Sequence, residues 1–202
     1  MDLNKLLKFL SLAGKLKTTI RFSSVGESIK FLRDTGASHS WRLSLLVILM
    51  ADEFNLDTKK ALEIAIVHDI AESITGDIDA ILIHNGSVSK KDKERKEIIA
   101  IEKLTKILPR NHGNKIRKLW EEYKYGLNKE AKFIKALDKL ETMIHVIESG
   151  CAALDDKEFL VKYADKTVKN FPELEDFLKK VKTEIKKEFK KGKIPWEKEF
   201  DV

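Results

Sequence analysis

An all-α bundle of about eight helices is the fold class this sequence predicts. Apolar residues recur at helical spacing in almost every segment, and capping residues, glycines and prolines mark the segment ends. No repeat, low-complexity linker or glycine-rich phosphate loop interrupts that pattern. With 202 residues the chain can bury one sizeable core, so a single domain over residues 1–202 is expected.

Residues 3–13 place Leu3, Leu6, Leu7, Leu10 and Ala13 on one stripe and predict a first amphipathic helix. Residues 17–24 lack helical period and read as a loop or extended connection. Residues 26–34 fit a short helix ended near Gly36. Ser38 is the expected N-cap of a helix over about 39–54, with its apolar run from Leu43 to Met50. Asp57 caps a helix over 58–74, which Thr75-Gly76-Asp77 breaks, and residues 78–88 read as a loop with a turn at Asn85-Gly86. Ser89 opens a charged helix over 90–108 whose inner stripe is Ile98, Ile101, Leu104 and Leu108. Past Pro109 and Gly113 lies a helix over 114–124. Asn128 caps a long helix over 129–149 that Gly150 ends, with Ile134, Leu137, Met143 or Ile144, and Ile147 facing inward. Two more helices, over 156–168 and 173–191, flank Pro172, a residue suited to a first turn.

Composition excludes several classes. Hydrophobic residues make up 43% and charged residues 36%, the balance of a folded globular chain. The longest apolar run, Leu45 to Ala51, is far too short to cross a bilayer, which argues against a membrane partner. Lys5, Lys8 and Lys15 interrupt the apolar N-terminus, so no secretory signal is expected. Cys151 is the single cysteine and rules out an intrachain disulfide, which fits a reducing cytoplasm. The net charge of +6 is local: residues 179–193 hold eight lysines and two glutamates, and the rest of the chain is neutral. A basic face confined to one C-terminal helix disfavours nucleic acid as a partner of the domain body.

The chemistry-bearing stretch is Glu63 to Asp77. Ile64, Val67, Ala71 and Ile74 mark a buried helical face, yet His68, Asp69, Glu72 and Asp77 sit on or just beyond it. Charges that close to a core are costly unless they are paired or hold a cation. On an unbroken helix His68 and Glu72 share a face, with Asp69 about 100° round from His68. Taken alone, the stretch admits a cation site or a satisfied core histidine beside an acidic cluster. Two further residues lie elsewhere: His39 near the start of the preceding long helix, and Asp138 beside Leu137 and Leu140 on the 129–149 helix. His84, His112 and His145 read as packing or surface histidines. Trp120 and Trp196 read as packing residues, and for Trp41 and Arg42 packing is favoured over a role behind His39.

A histidine, a His-Asp pair and a late aspartate on a helical bundle resemble the HD-domain metal phosphohydrolases. Val67-His68-Asp69-Ile70-Ala71-Glu72 followed by Thr75-Gly76-Asp77-Ile78 is similar to their 5′-deoxynucleotidase branch. So are Gly14-Lys15-Leu16-Lys17 leading to Arg21, and Lys118 to Tyr123; the similarity spans about residues 5–148. The C-terminal helices, 155–191 with their basic tail, carry no such motif. The resemblance implies an HD-domain bundle in which His39, His68, Asp69 and Asp138 bind one divalent metal. Two imidazoles and two carboxylates suit Mn²⁺, Co²⁺, Fe²⁺ or Zn²⁺, with Mg²⁺ also admissible. It further implies Glu72 and Asp77 as catalytic residues and Arg21 as the phosphate clamp, with Phe22 in the place of an aromatic residue that screens the ribose 2′-hydroxyl. Glu72 would accept a proton from water or orient it, while Asp77 would protonate the leaving 5′-oxygen or hold the sugar. The activity implied is hydrolysis of (deoxy)nucleoside 5′-monophosphates by a cytoplasmic homodimer. The alternatives are an HD hydrolase of another phosphoester, such as a cyclic nucleotide or a dNTP, and a non-catalytic nucleotide-sensing HD domain.

Overall fold

Short polar caps decide where the helices begin. Asp2, Thr35, Asp57, Asp79, Asn128 and Asp156 each accept a backbone N–H at the start of α1 (Leu3–Ala13), α2 (Gly36–Met50), α3 (Thr58–Val67), α5 (Ala80–His84), α8 (Lys129–Ser149) and α9 (Lys157–Lys162). Each such cap contributes about 0.5–2 kcal/mol. Between and after them lie α4 (Glu72–Thr75), α6 (Lys90–Thr105), α7 (Arg110–Tyr125), α10 (Asp165–Lys169) and α11 (Glu175–Lys191). This computed structural model describes residues 2–22, 32–150 and 156–201. Among them the chain forms helices and turns, with one isolated antiparallel bridge between Ile20 and Thr35 and no strand.

Helix α8 is the axis of the bundle. It packs against α2, α3, α7, α10 and α11. Phe133, Ile134, Leu137, Leu140 and Met143 are fully buried along it, together with the polar Asp138, Glu141 and His145. Leu43 and Val47 of α2, Ile64 of α3 and Ile101 and Leu104 of α6 complete one apolar core that runs on to Ile185 and Phe189 of α11. Placing carboxylates and imidazoles on the buried face of the central helix forces their partners to lie inside the bundle too.

Several expectations are corrected. The stripe on α1 exists but faces outward: Leu3, Leu7 and Leu10 are 69%, 65% and 52% exposed, and only Phe9 of that helix is buried. Trp41 is 68% exposed rather than packed. Thr35, not Ser38, caps α2; Ser38 is the third helical residue and closes a reciprocal capping box with Thr35. The expected 58–74 helix is interrupted after Val67 by a turn over 68–71, and α4 then restarts at Glu72. Residues 78–88 contain α5. Residues 156–168 divide into α9 and α10, and Pro172 starts a short 3-10 turn ahead of α11. The short helix expected over 26–34 lies largely outside the described residues.

Gly113 does not end a segment; it sits inside α7, where a Cβ would come within 2.4 Å of the Thr105 carbonyl oxygen of α6. Its absence of side chain lets α6 and α7 approach. Gly14 is different, because a Cβ there meets nothing within 4 Å and its φ is −61°. Gly113→Ala is therefore expected to destabilise by about 1–3 kcal/mol. Gly14→Ala should be neutral or stabilising by up to about 1 kcal/mol. Urea denaturation of the two variants against the parent measures both.

Candidate active site

His39 enters the core because α2 is fixed at its first turn. Gly36 N–H donates to the Thr19 carbonyl at 3.0 Å and Arg21 N–H to the Asp34 carbonyl at 3.1 Å, which pins the start of α2 against the end of the N-terminal segment. His39 follows one turn into that helix and is fully buried. His68 stands at the end of α3, where its Nδ1 lies 2.7 Å from the Ala65 carbonyl. A carbonyl only accepts, so Nδ1 carries the proton and the Nε2 lone pair of a neutral ring is free. Asp69 follows in the turn that breaks the helix. Asp138 comes from the middle of α8.

These four side chains converge. The Nε2 atoms of His39 and His68 are 3.2 Å apart. Asp69 Oδ2 lies 2.9 Å from His68 Nε2 and 3.9 Å from His39 Nε2, and Asp138 Oδ1 lies 3.1 Å from His39 Nε2. Potential ligand atoms of His39, His68 and Asp69 all fall within 4.8 Å of one another. Ligands about 2.1 Å from one transition-metal ion are themselves about 3.0–3.4 Å apart, so the donor set fits a divalent cation. Burial and Arg21 oppose charge on His39, but Glu141 and Asp138 outweigh them and raise its pKa to about 9. A metal ion would therefore enter in exchange for a proton at neutral pH. Burial also opposes charge on Asp69 and Asp138, yet His68 holds the first below its ordinary range, and Lys139 with His39 holds the second there. Tyr123 Oη donates to Asp138 Oδ2 at 2.6 Å, and Lys139 Nζ lies 3.0 Å from the same oxygen.

Behind His39 stands Glu141, a residue that sequence reasoning missed. Its Oε2 pairs with His39 Nδ1 and lies 3.3 Å from Arg21 Nη1, while Oε1 accepts from Arg42 Nε at 2.6 Å. Arg21 also donates to Asp34 Oδ2 and to Thr142 Oγ1, each at 2.8 Å. Burial works against ionising Glu141, but His39, Arg21 and Arg42 bring its pKa down to about 2. Asp34, His39 and Glu141 also form a cluster with ligand-like spacing. Both of its carboxylates are already met by arginine, and Glu141 is met by His39 Nδ1 as well, so this second group is an ion-pair network and not a cation site. The available sequence signal was the spacing: Glu141 lies three residues after Asp138 and shares its helix face.

The convergent carboxylates open onto a cavity of about 1280 Å³ lined by Arg21, Phe22, His68, Asp69, Glu72 and Asp77. Glu72 is buried, with Oε1 3.3 Å from Lys93 Nζ, and that ammonium also donates to the Ile78 carbonyl at 3.3 Å. Burial, then Asp69 and Asp77, raise the Glu72 pKa well above the usual carboxylate range, against the pull of Lys93. Asp77 is raised chiefly by burial, with Lys93 and Arg21 opposing. Lys93 is a second residue that sequence reasoning missed, hidden in the charged run at the start of α6. Phe22 stacks on His145 at 5.2 Å and 16°, so His145 serves as a packing surface away from the cation site. His112 is exposed beside Asn111, whereas His84 lines the cavity.

Residues 13–191 match the sequence profile of the HD-domain family. The chain belongs to that family. Among curated HD relatives, the 5′-deoxynucleotidase HDDC2 of Xenopus laevis is 34% identical over 143 residues, 71% of this chain and 68% of the relative. The 5′-deoxynucleotidase hdd1 of Schizosaccharomyces pombe is 34% identical over 147 residues, 71% of each chain. A predicted metal-dependent phosphohydrolase from Magnetospirillum magnetotacticum has the same fold, with a TM-score of 0.68 at 21% identity over 96% of both chains. So does a Pyrococcus horikoshii protein, with a TM-score of 0.67 at 22% identity over 88% of this chain and 99% of its own.

Within this HD site, Glu141 fixes the tautomer and the aim of His39. Glu141→Gln is expected to weaken Mn²⁺ binding about 10- to 100-fold, the effect found when a ligand's supporting carboxylate is lost. Titration of metal-stripped protein, with helicity checked by circular dichroism, measures it.

Proposed function

We propose that this HD protein is a divalent-metal-dependent phosphohydrolase that removes phosphate from (deoxy)nucleoside 5′-monophosphates. One observation carries the reading: His39, His68, Asp69 and Asp138 converge beside a cavity that also holds Arg21, Glu72 and Asp77. The relatives named 5′-deoxynucleotidase support the same substrate class. His39, His68, Asp69 and Asp138 would hold the ion. When bound, it would lower the pKa of water and offset the charge of the phosphate.

The remaining steps belong to the chain's own residues. Arg21 uses three N–H groups on Asp34, Glu141 and Thr142, and a guanidinium carries five. Among the described residues the other two meet no partner, and they are proposed to grip the phosphate. After burial, Asp69 is the largest influence on the Glu72 carboxyl. Its proposed task is to take the proton from the attacking water, and Lys93 opposes the rise in its pKa. Asp77 lines the same cavity as Arg21. Its raised pKa suits the donation of a proton to the departing 5′-oxygen as the bond from phosphorus to that oxygen breaks. Phe22, next to Arg21 and braced by His145, would face the sugar.

The whole chain is proposed to work as one HD domain, since a single apolar core joins residues from Phe9 to Phe200. No helix among the described residues is long and apolar enough to cross a membrane, and a cytoplasmic location is proposed with the nucleotide substrate. A homodimer is proposed as well. Trp41, Leu45, Ile48 and Leu49 form one exposed apolar row along α2, and α1 exposes Leu3, Leu7 and Leu10. Apolar rows of that length on a soluble protein mark an interaction surface.

Metal-stripped protein supplied with Mn²⁺ or Co²⁺ should release phosphate from a panel of deoxynucleoside 5′-monophosphates. Absence of turnover for every monophosphate, in protein shown to bind metal, would refute the activity. Glu72→Gln should lower kcat by about 10²- to 10⁴-fold with metal content unchanged, and Arg21→Ala should raise KM and also lower stability, because it removes a partner of Glu141. For the assembly, light scattering should report a dimer for the parent chain and a monomer for a Leu45→Glu, Leu49→Glu double variant.

A further inference from the structure

The cavity is larger than a phosphate site needs. Pockets for small ligands commonly measure about 300–1,000 Å³, and this one measures about 1280 Å³. It continues from Arg21 and Asp69 to a second wall built by the short helices α5 and α9. On that wall the His84 and Phe159 rings stack at 4.4 Å and 24°, and Tyr163 meets Phe159 edge-on at 5.1 Å and 64°. All three line the same cavity as His68, Asp69 and Asp138.

These rings differ from the core aromatics. Phe133, Phe171 and Phe189 are at most 2% exposed, whereas Phe159 and Tyr163 are half-buried and the His84 side chain is 52% exposed. Burial of apolar surface alone does not explain the cluster, because none of its three rings is fully buried and all three line the cavity. The wall is nevertheless well fixed. Asp156 accepts the Phe159 N–H at 2.8 Å, which caps α9, and its Oδ2 lies 3.4 Å from His84 Nε2. One carboxylate thus fastens both helices and holds the two ring planes together. Further along, Lys139 sits over Tyr163 at 4.9 Å and on Asp138, so the aromatic wall and the cation site share a brace.

We infer that the α5–α9 wall is the nucleobase subsite, with Phe159 and His84 as its stacking surface and Tyr163 as their support. The inference rests on the nucleotide reading above. A planar, polarisable ring system is what such a surface takes up, and stacking of a base on an aromatic side chain tolerates any base. Phosphate and sugar would then be held at the Arg21 end and the base at the α5–α9 end of one continuous cavity.

Equilibrium binding tests this independently of turnover. Mn²⁺-loaded protein is titrated with deoxyadenosine 5′-monophosphate and with 2-deoxyribose 5-phosphate, which lacks the base. The parent protein should bind the nucleotide more tightly than the base-free phosphate. Phe159→Ala should weaken the nucleotide by about tenfold, the scale of one lost base stack, and leave the sugar phosphate unchanged; Phe159→Tyr should restore the difference. His84→Ala, on the exposed side of the stack, should act in the same direction and covers the case in which Phe159→Ala does not fold. Equal affinity of the parent for both ligands, an equal loss for both in the variants, or no loss for either would each overturn the subsite. Failure to hydrolyse any monophosphate would bear on the activity and not on this binding difference.

Discussion

Glu141 is almost fully buried, yet three cations share its two oxygens: His39, Arg21 and Arg42. Such a carboxylate is tolerable inside a bundle only if every lone pair is met, and breaking a buried pair costs about 3–5 kcal/mol. The requirement ties two distant parts of the chain to α8. Arg21 comes from the N-terminal segment, His39 and Arg42 from α2. Once that carboxylate is satisfied, His39 has one orientation, its Nε2 faces His68, and the donor set for a cation is complete. The candidate cation site and Arg21 are thus two faces of one electrostatic network.

Most of the bundle could be read from the chain because caps and apolar period are local signals. Asp57, Asn128 and Gly150 act where their chemistry places them. The candidate ligands were legible for a similar reason: His39, His68, Asp69 and Asp138 are residue types that a core does not accept without cause, and they stand in the order of the HD pattern. Where reading failed, the deciding energy was tertiary. The apolar period runs straight through residues 58–74, so nothing local announces that the chain turns over 68–71 to present His68 and Asp69 together. The stripe on α1 is a sound amphipathic pattern, but a pattern does not say whether its own core or another surface covers it. Glu141 was passed over as one more acid in a charged helix, and Lys93 as one more lysine. His84 was dismissed because a lone histidine in a loop carries no spacing to interpret; only the fold brings Phe159 beside it.

Position along the cavity sorts the acids by task. Asp69 and Asp138 stay ionised because imidazoles and Lys139 face them. Glu72 has burial, Asp69 and Asp77 against its ionisation and Lys93 for it, while Asp77 has burial, Asp69 and Asp79 against and Lys93 and Arg21 for. Four carboxyls of similar intrinsic acidity are thereby divided into two that are held ionised and two whose ionisation is opposed. Environment, not residue type, makes that division.

The crossing of residues 19–21 over 34–36 has a consequence for how this fold can diversify. Arg21 and Asp34 are joined by a backbone hydrogen bond and by their side chains, and Gly36 is joined to Thr19. The two ends of the intervening segment are thus clamped side by side whatever its length. Doubling the length of a closed loop costs only about 0.6 kcal/mol. Insertions and deletions between Arg21 and Asp34 can therefore accumulate in related chains at small cost, while the arginine and the histidine one turn beyond the clamp keep their places.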